Sequence, residues 1–399
     1  MTSQDWPRLP IGLIAKPRLG GNYKNGPSAT VRPLVKMGNI ARVSMDVSRI
    51  EYIPDGEKVL EEHRLHFGDV LFNTRNTLDL VGKVSIWRDE LPVAYYNSNI
   101  LRLEFDVRYC GTPEYFGYVL NTAESIDAIR GLATGTTSVA AVYTRDLLKL
   151  TVPVPDAAEQ RAIAQALRDV DALTSSLTKL IAKKRAIKQG MMQELLTGRT
   201  RLPGFAGAWT PVIFGDIATP SKDRSDPRTT SGRVVELEHI SARTGHLLGD
   251  SDLASSVSLK TRFLRGDVLF GKLRAYLRKY WLADRDGYAS TEIWALRPRT
   301  GVATSAFLRY VVEQDDFIEV ASTAYGTHMP RSDWKVVSRY ELELPTLDEQ
   351  AAIGLALQSS DDEIAALERR LEATRAIKQG MMQELLTGRT RLAPAEASA

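Results

Sequence analysis

Arg185 to Leu202 reads RAIKQGMMQELLTGRTRL, and Arg375 to Leu392 reads the same eighteen letters. Chance does not supply identity of that length, so the fixed offset of 190 makes the chain a tandem duplication. The match runs backward at the same offset: Glu159-Gln160 pairs with Glu349-Gln350, Ile163 with Ile353, and Leu177 with Leu367. Upstream it persists with loop-sized gaps. Phe67-Gly-Asp-Val-Leu-Phe72 answers Arg265-Gly-Asp-Val-Leu-Phe270 at offset 198, and Gly135-Thr136 answers Gly326-Thr327 at offset 191. Trp6-x5-Gly12-x-Ile14-Ala15 answers Trp209-x5-Gly215-x-Ile217-Ala218 at offset 203. The second copy therefore has shorter loops on the same framework. Two copies are too few for a solenoid, so the pattern predicts a pseudo-twofold internal dimer.

Each copy has two parts. Residues 1–155 and 203–345 mix short strand-like runs with turns and predict α+β globules. Asp69–Phe72, Gly82–Trp87 and Ile100–Phe105 read as strands, and Tyr115–Asn121 and Phe307–Glu313 as short helices. Residues 156–202 and 346–392 read as long helices, with 393–399 as a disordered tail. Asp156-x-x-Glu159 and Thr346-x-x-Glu349 are capping boxes that open them, and Gly198 and Gly388 sit where they should stop. Apolar residues recur at spacings of three and four through Ile163, Ala166, Val170, Leu173, Leu177 and Leu180, resuming at Ile187 and Met191. The partner series is Ile353, Leu357, Ile364, Leu367 and Leu371. Segment 156–202 carries nine basic and five acidic residues, and segment 346–399 carries six and nine. Opposite-sign stripes favour pairing with each other, which predicts an antiparallel coiled coil with one globule at each end. Ile163, Val170 and Leu177 are the expected pairing positions on one helix, and Ile353, Ile364 and Leu367 on the other.

Composition and motifs exclude several classes. With 399 residues, 43% hydrophobic and 25% charged, the chain is ordinary globular protein of two or three domains. The apolar runs are too short for a membrane-spanning helix, and the start does not read as a signal peptide. The lone Cys110 excludes an intramolecular disulfide and fits the cytoplasm. The Gly-x4-Gly-Lys-[Ser/Thr] loop of nucleotide motors is missing, as are the Asn/Asp-Pro-Pro-Tyr/Phe tetrapeptide of adenine methyltransferases and His-Glu-x-x-His. His63-x-x-His66 reads as an exposed polar face rather than a metal pair, and Asp55 with Glu57 lacks the further residues of a nuclease site. The expected reading is a non-enzyme without metal or cofactor of its own.

The loops carry the candidate ligand contacts. Lys24 and Asn25 lie in the glycine-rich stretch 19–30, Lys222 and Arg224 in 221–233. Lys272, Arg274, Tyr276 and Arg278 alternate in the acid-free GKLRAYLRKYW. Arg75, Asn76, Asn97, Asn99, Thr136 and Thr137 come from turns of the first globule; Thr327, His328 and Arg331 come from the second. Arginine and lysine meet guanine edges or phosphates, and asparagine meets adenine.

Two variable globules, each followed by a helix bearing Glu-Gln-x-x-Ile and Met-x-Gln-Glu-Leu-Leu-Thr-Gly, resemble the specificity subunit of type I restriction–modification systems. Gly-Asp-Val-Leu-Phe, Leu202-Pro-Gly-Phe205 and Trp209 belong to the same resemblance, which covers nearly the whole chain. It implies two target-recognition domains reading the halves of a split double-stranded DNA site. It further implies helices that act as spacer and as docking surfaces for two modification (methyltransferase) subunits, with restriction (motor–nuclease) subunits joining them. Adenine-N6 methylation or restriction, and with them S-adenosylmethionine, ATP and Mg, would belong to those partners. The net charge of +3 is modest for a DNA binder, and partners that also clamp DNA would account for it. The rival readings are a coiled-coil adaptor that touches no DNA and a stand-alone nuclease.

Overall fold

The computed structural model describes residues 6–136, 139–256, 258–323 and 330–392; the expected disordered tail, 393–399, lies outside the described residues. Two compact units divide the chain, one of residues 1–177 with 370–399 and the other Thr178–Arg369. The long helices span Ala157–Leu195 and Leu347–Leu385, 39 residues each, so each unit holds one globular head and a part of both helices.

In the first unit an antiparallel sheet orders its strands Ala15–Leu19, Ile100–Phe105, Val70–Asn73 and Val84–Ile86. In the second, Ala218–Pro220, Ile293–Pro298, Val268–Gly271 and Tyr280–Leu282 repeat that order. The Gly-Asp-Val-Leu-Phe motif explains itself here. Gly68 and Gly266 take left-handed φ values of 88° and 90°, which an L side chain resists. Asp69 and Asp267 accept the backbone N–H of His66 and Leu264 at 2.9 Å, closing the turn. Val-Leu-Phe then enters the sheet fully buried. Each head is closed at its base by a strand pair, Arg8–Pro10 with Thr151–Pro153 and Thr210–Ile213 with Glu341–Leu344, just before the helix begins.

The Glu-Gln-x-x-Ile repeat performs three tasks at each helix start. Ile163 and Ile353 enter the head cores beside Leu167 and Leu357. The Gln160 amide accepts from the Gly111 N–H at 2.8 Å and donates to the carbonyls of Tyr109 (2.8 Å) and Pro155 (2.9 Å). Gln350 does the same with the Thr304 N–H and the Val302 and Pro345 carbonyls. Half of each expected capping box forms, with Asp156 and Thr346 accepting the N–H of Glu159 and Glu349. The glutamate carboxylates do not complete the boxes, because a stronger partner takes them. Arg201 and the Trp209 indole N–H donate to Glu349, and Arg391 and the Trp6 indole N–H donate to Glu159. Each arginine also lies over its tryptophan ring, 5.2 Å for Arg201 and 5.1 Å for Arg391. Gly198 and Gly388 (φ 68° and 73°) place their backbones against those same rings. The eighteen-residue repeat therefore ends in a clamp, and each head is held between the start of one long helix and the end of the other.

Within each unit the helix segments run antiparallel. In the first, Glu159 meets Arg391 and Asp171 meets Lys378. In the second, Lys184 meets Glu363, Lys188 meets Asp361 and Arg201 meets Glu349. The expected apolar stripe needs correction. Ile163 and Leu177 are buried and Val170 is half-buried, but Leu173, Leu180 and Ile187 are 39%, 38% and 45% exposed. The inward series is Ile163, Leu167, Leu177, Ile181, Lys188, Met192 and Leu195. In the C-terminal helix Ile353 and Ile364 are buried and Leu367 is half-buried.

His63 also departs from expectation. It is buried, with Nδ1 2.6 Å from the Tyr23 hydroxyl and its ring edge-on to Tyr23 and Tyr96, and burial pulls its pKa down. Only His66 is exposed as expected.

Candidate nucleic-acid interface

The sheet order gathers four separated stretches of the first head. Gly21 bonds to residues 96 and 98 (Gly21 N–H to the Tyr96 carbonyl, Ser98 N–H to the Gly21 carbonyl, both 3.0 Å), which sets the 19–30 loop beside Asn97. Thr74 donates its N–H and hydroxyl to the Asn99 carbonyl at 3.1 and 2.8 Å. Arg75–Asn76 pairs with Ala140–Ala141, which pairs with Thr134–Gly135 and so brings in Thr136. Lys24 and Arg75 are exposed, with no side-chain hydrogen bond or ion pair to a described residue. The amides are partly spent on turn chemistry. Asn76 Oδ1 accepts the Thr77 N–H (2.8 Å) and Asn97 Oδ1 the Asn99 N–H (3.2 Å). Asn25 donates to the Tyr23 carbonyl and accepts from Lys36. The Thr136 hydroxyl accepts from the Val139 N–H, and Thr137 lies outside the described residues.

In the second head the same strand end carries Lys272, whose N–H donates to the Glu292 carbonyl and whose carbonyl accepts from Ser332, both at 2.9 Å. Lys222, Arg224 and Lys272 converge on one cavity, together with Thr261, Thr291 and Trp294, which the sequence had not singled out. No local pattern marks those three; strand register alone places them. Arg274 adopts a left-handed φ of 55° and Tyr276 is exposed. Arg278 is turned elsewhere, bonded to Asp315 at 2.5 Å and to the Glu313 carbonyl at 3.3 Å. It lines a separate cavity of about 700 Å³ with Arg185, Lys188 and Arg243. Arg331 is engaged by Glu292 at 2.8 Å. GKLRAYLRKYW contains no acid, yet the fold supplies one to Arg278 from 37 residues away. Thr327 and His328 lie outside the described residues.

The heads join the helices through charge. The Tyr118 hydroxyl donates to Asp171 at 2.7 Å, and Asp171 also meets Arg88 and Lys378. In the second unit the Tyr310 hydroxyl donates to Asp361 at 2.9 Å, and Asp361 meets Arg309 and Lys188. Burial pushes both phenols well above their ordinary range. Among the described residues there is no metal-type cluster of His, Cys, Asp and Glu, and no helix long and apolar enough to cross a membrane.

Residues 21–189 match the family described as the type I restriction modification DNA specificity domain. The chain is 22% identical over 380 residues to the MjaX type I restriction enzyme specificity subunit of Methanocaldococcus jannaschii, covering 90% of this chain and 87% of that protein. It is 25% identical over 176 residues to the EcoDI type I restriction enzyme specificity subunit of Escherichia coli, 43% of this chain and 37% of the other. Its fold matches the type I restriction–modification S subunit from M. genitalium with a TM-score of 0.64 at 14% identity, over 97% of both chains. Over most of its length the chain is thus similar to specificity subunits of type I restriction–modification systems.

Proposed function

We propose that the chain reads a bipartite duplex target, with residues 1–155 and 203–345 as target-recognition domains and 156–202 and 346–392 as spacer helices. The observation that carries this reading is a contrast within the repeat. The Trp–Arg–Glu clamp and the Tyr–Asp–Lys junction recur in both units, while the faces differ: Lys24, Arg75 and the asparagines in one, Lys222, Arg224 and Lys272 in the other. Shared junctions suit shared partners, and dissimilar faces suit dissimilar bases.

The partners in this reading are two modification subunits, which methylate adenine N6, and restriction subunits, working in the cytoplasm. S-adenosylmethionine, ATP and Mg act on those subunits. Leu180 and Ile187 on the central helix, and Ile377 (the repeat equivalent of Ile187), offer exposed apolar groups for docking. Replacing residues 203–345 by the corresponding head of a relative should change one half of the methylated sequence only. Inserting four residues after Lys183, about one helical turn and roughly 6 Å, should lengthen the unspecified gap by one or two base pairs and leave both halves intact. Sequencing of methylated bases reads both outcomes. A head exchange that alters both halves defeats independent reading.

A further inference from the structure

The cavity of about 220 Å³ in the second head has an unbalanced lining. Lys222, Arg224 and Lys272 all border it, and no carboxylate does. Nearby cations are neutralised inside the unit: Lys260 by Glu236 at 2.8 Å, Arg331 by Glu292 at 2.8 Å and Arg262 by Asp223 at 3.8 Å. The side chains of the three lining cations make no ion pair with a described residue. Three like charges converging without a counterion is an arrangement that a bound anion relieves.

The walls are built from fixed elements. The Lys272 backbone is bonded to Glu292 on one side and Ser332 on the other. Arg224 pairs with Thr261 across a strand, and Trp294 stacks on Phe270 with centroids 6.3 Å apart. Thr261 and Thr291, which carry hydroxyls, line it as well. No Asn, Gln, Asp or Glu lines the cavity, so the usual partners of the adenine and cytosine amino groups are missing. Cations plus hydroxyls suit an anionic oxygen cluster instead.

We propose that this cavity seats one backbone phosphate of the target duplex, a positioning contact that carries no base information. The proposal rests on the reading of the heads as DNA faces. It also makes the heads unequal. Phe270 pairs with Trp294 as Phe72 pairs with Leu101, so Leu101 stands where Trp294 does and Thr74 where Lys272 does. The first head lacks this anchor.

The test is a Lys222→Ala/Lys272→Ala double variant of the full chain assembled with its partner subunits. Binding is measured over a range of salt to two duplexes, one carrying the sequence methylated in the host and one scrambled. Affinity for both should fall by the same factor, about five- to tenfold, and the log–log salt slope should flatten by about 0.9. Phosphate-ethylation interference should lose one position beside the second half-site, and Lys222→Arg/Lys272→Arg should restore it. Loss of target affinity alone would assign the cavity to base reading and overturn the proposal, as would unchanged affinity and slope. Inorganic phosphate raising the melting temperature of the wild type but not of the variant, with DNA binding unaltered, would assign a free anion and overturn it too. A wild-type complex that binds neither duplex would instead bring down the underlying reading.

Discussion

The two units solve the same mechanical problem with partly different residues. Tyr118, Asp171 and Lys378 in the first correspond through the repeat to Tyr310, Asp361 and Lys188 in the second. The arginine that completes each junction does not correspond. Arg88 follows the strand Val84–Ile86, whereas Arg309 lies on the helix Ser305–Val311, and the further carboxylate comes from Glu114 in the first junction (3.7 Å from Arg88 Nε) and from Glu313 in the second (2.8 Å from Lys188 Nζ). The head sheets show a similar exchange. Asp69 pairs with Arg102, but Asp267 pairs with Arg297, two residues farther along the equivalent strand and so on the same face. What the fold retains is a charge at a place, and more than one residue can deliver it. The faces, by contrast, are both cationic but draw their cations from positions that do not correspond.

The clamp gives the sharpest way to break that equivalence. Glu159 and Glu349 are buried, and each holds an arginine and an indole N–H. Arg201 and Arg391 are partly exposed and can turn to water, so the main loss is the hydrogen bonding of the buried carboxylate and the indole N–H, and Glu159→Ala and Glu349→Ala should each cost about 2–3 kcal/mol. Thermal unfolding followed by calorimetry should show the two losses to be equal. A large loss for one and none for the other would mean that the repeated tails do unequal work.

Much of this was legible from the sequence, for physical reasons. Identity over eighteen residues exposes a duplication, and Asp156 and Thr346 mark helix starts at Ala157 and Leu347 because an N-cap acceptor is local chemistry. The stripe failed at Leu173, Leu180 and Ile187 because a leucine-rich helix holds two interleaved series at spacings of three and four. Lys188 interrupts the one that is buried. A buried lysine reads as a surface residue until Glu313 and Asp361 are brought to it by tertiary folding. Arg278 and Arg331 were the reverse case. Their type was right for DNA, but acids distant in sequence occupy them.

A smaller effect tests whether the units loosen separately. Cys110 is the only thiol, and burial pushes its pKa up to about 12. At pH 8 its thiolate is therefore scarce, and labelling by a thiol reagent should be slow until the first unit opens. Gln160 bonds the backbone on both sides of it, at Tyr109 and Gly111. Gln160→Ala should cost about 1–3 kcal/mol locally and raise the labelling rate roughly tenfold. Gln350→Ala removes the same bonds from the second unit, which has no thiol. It should leave the rate unchanged, and equal acceleration would show that the units open together.

The smallest expected effect is a pH dependence confined to the first unit. Glu104 accepts from Arg18 at 2.5 Å and from Arg102 at 2.7 Å. The Arg18 hydrogen bond, opposed by burial and assisted by Arg102, holds its carboxyl below the ordinary 4.5. A carboxyl depressed in the folded state stabilises above its unfolded value, and that contribution fades as pH falls through the folded one. Asp69 works in the opposite sense: burial raises its pKa against the pull of the His66 N–H and Arg102. Its contribution is present at low pH and is lost on the way up. The second unit has Arg297 where Glu104 stands, so it lacks the first of these dependences. Arg18 and Glu104 are partly solvated, which keeps the effect small. Arg18→Ala should lower the melting temperature at pH 7 by about 1–2 °C, and the difference should vanish on acidification well below pH 4.5. A difference that instead grew as the pH fell would show that Arg18 stabilises the first head through packing, with Glu104 incidental to it.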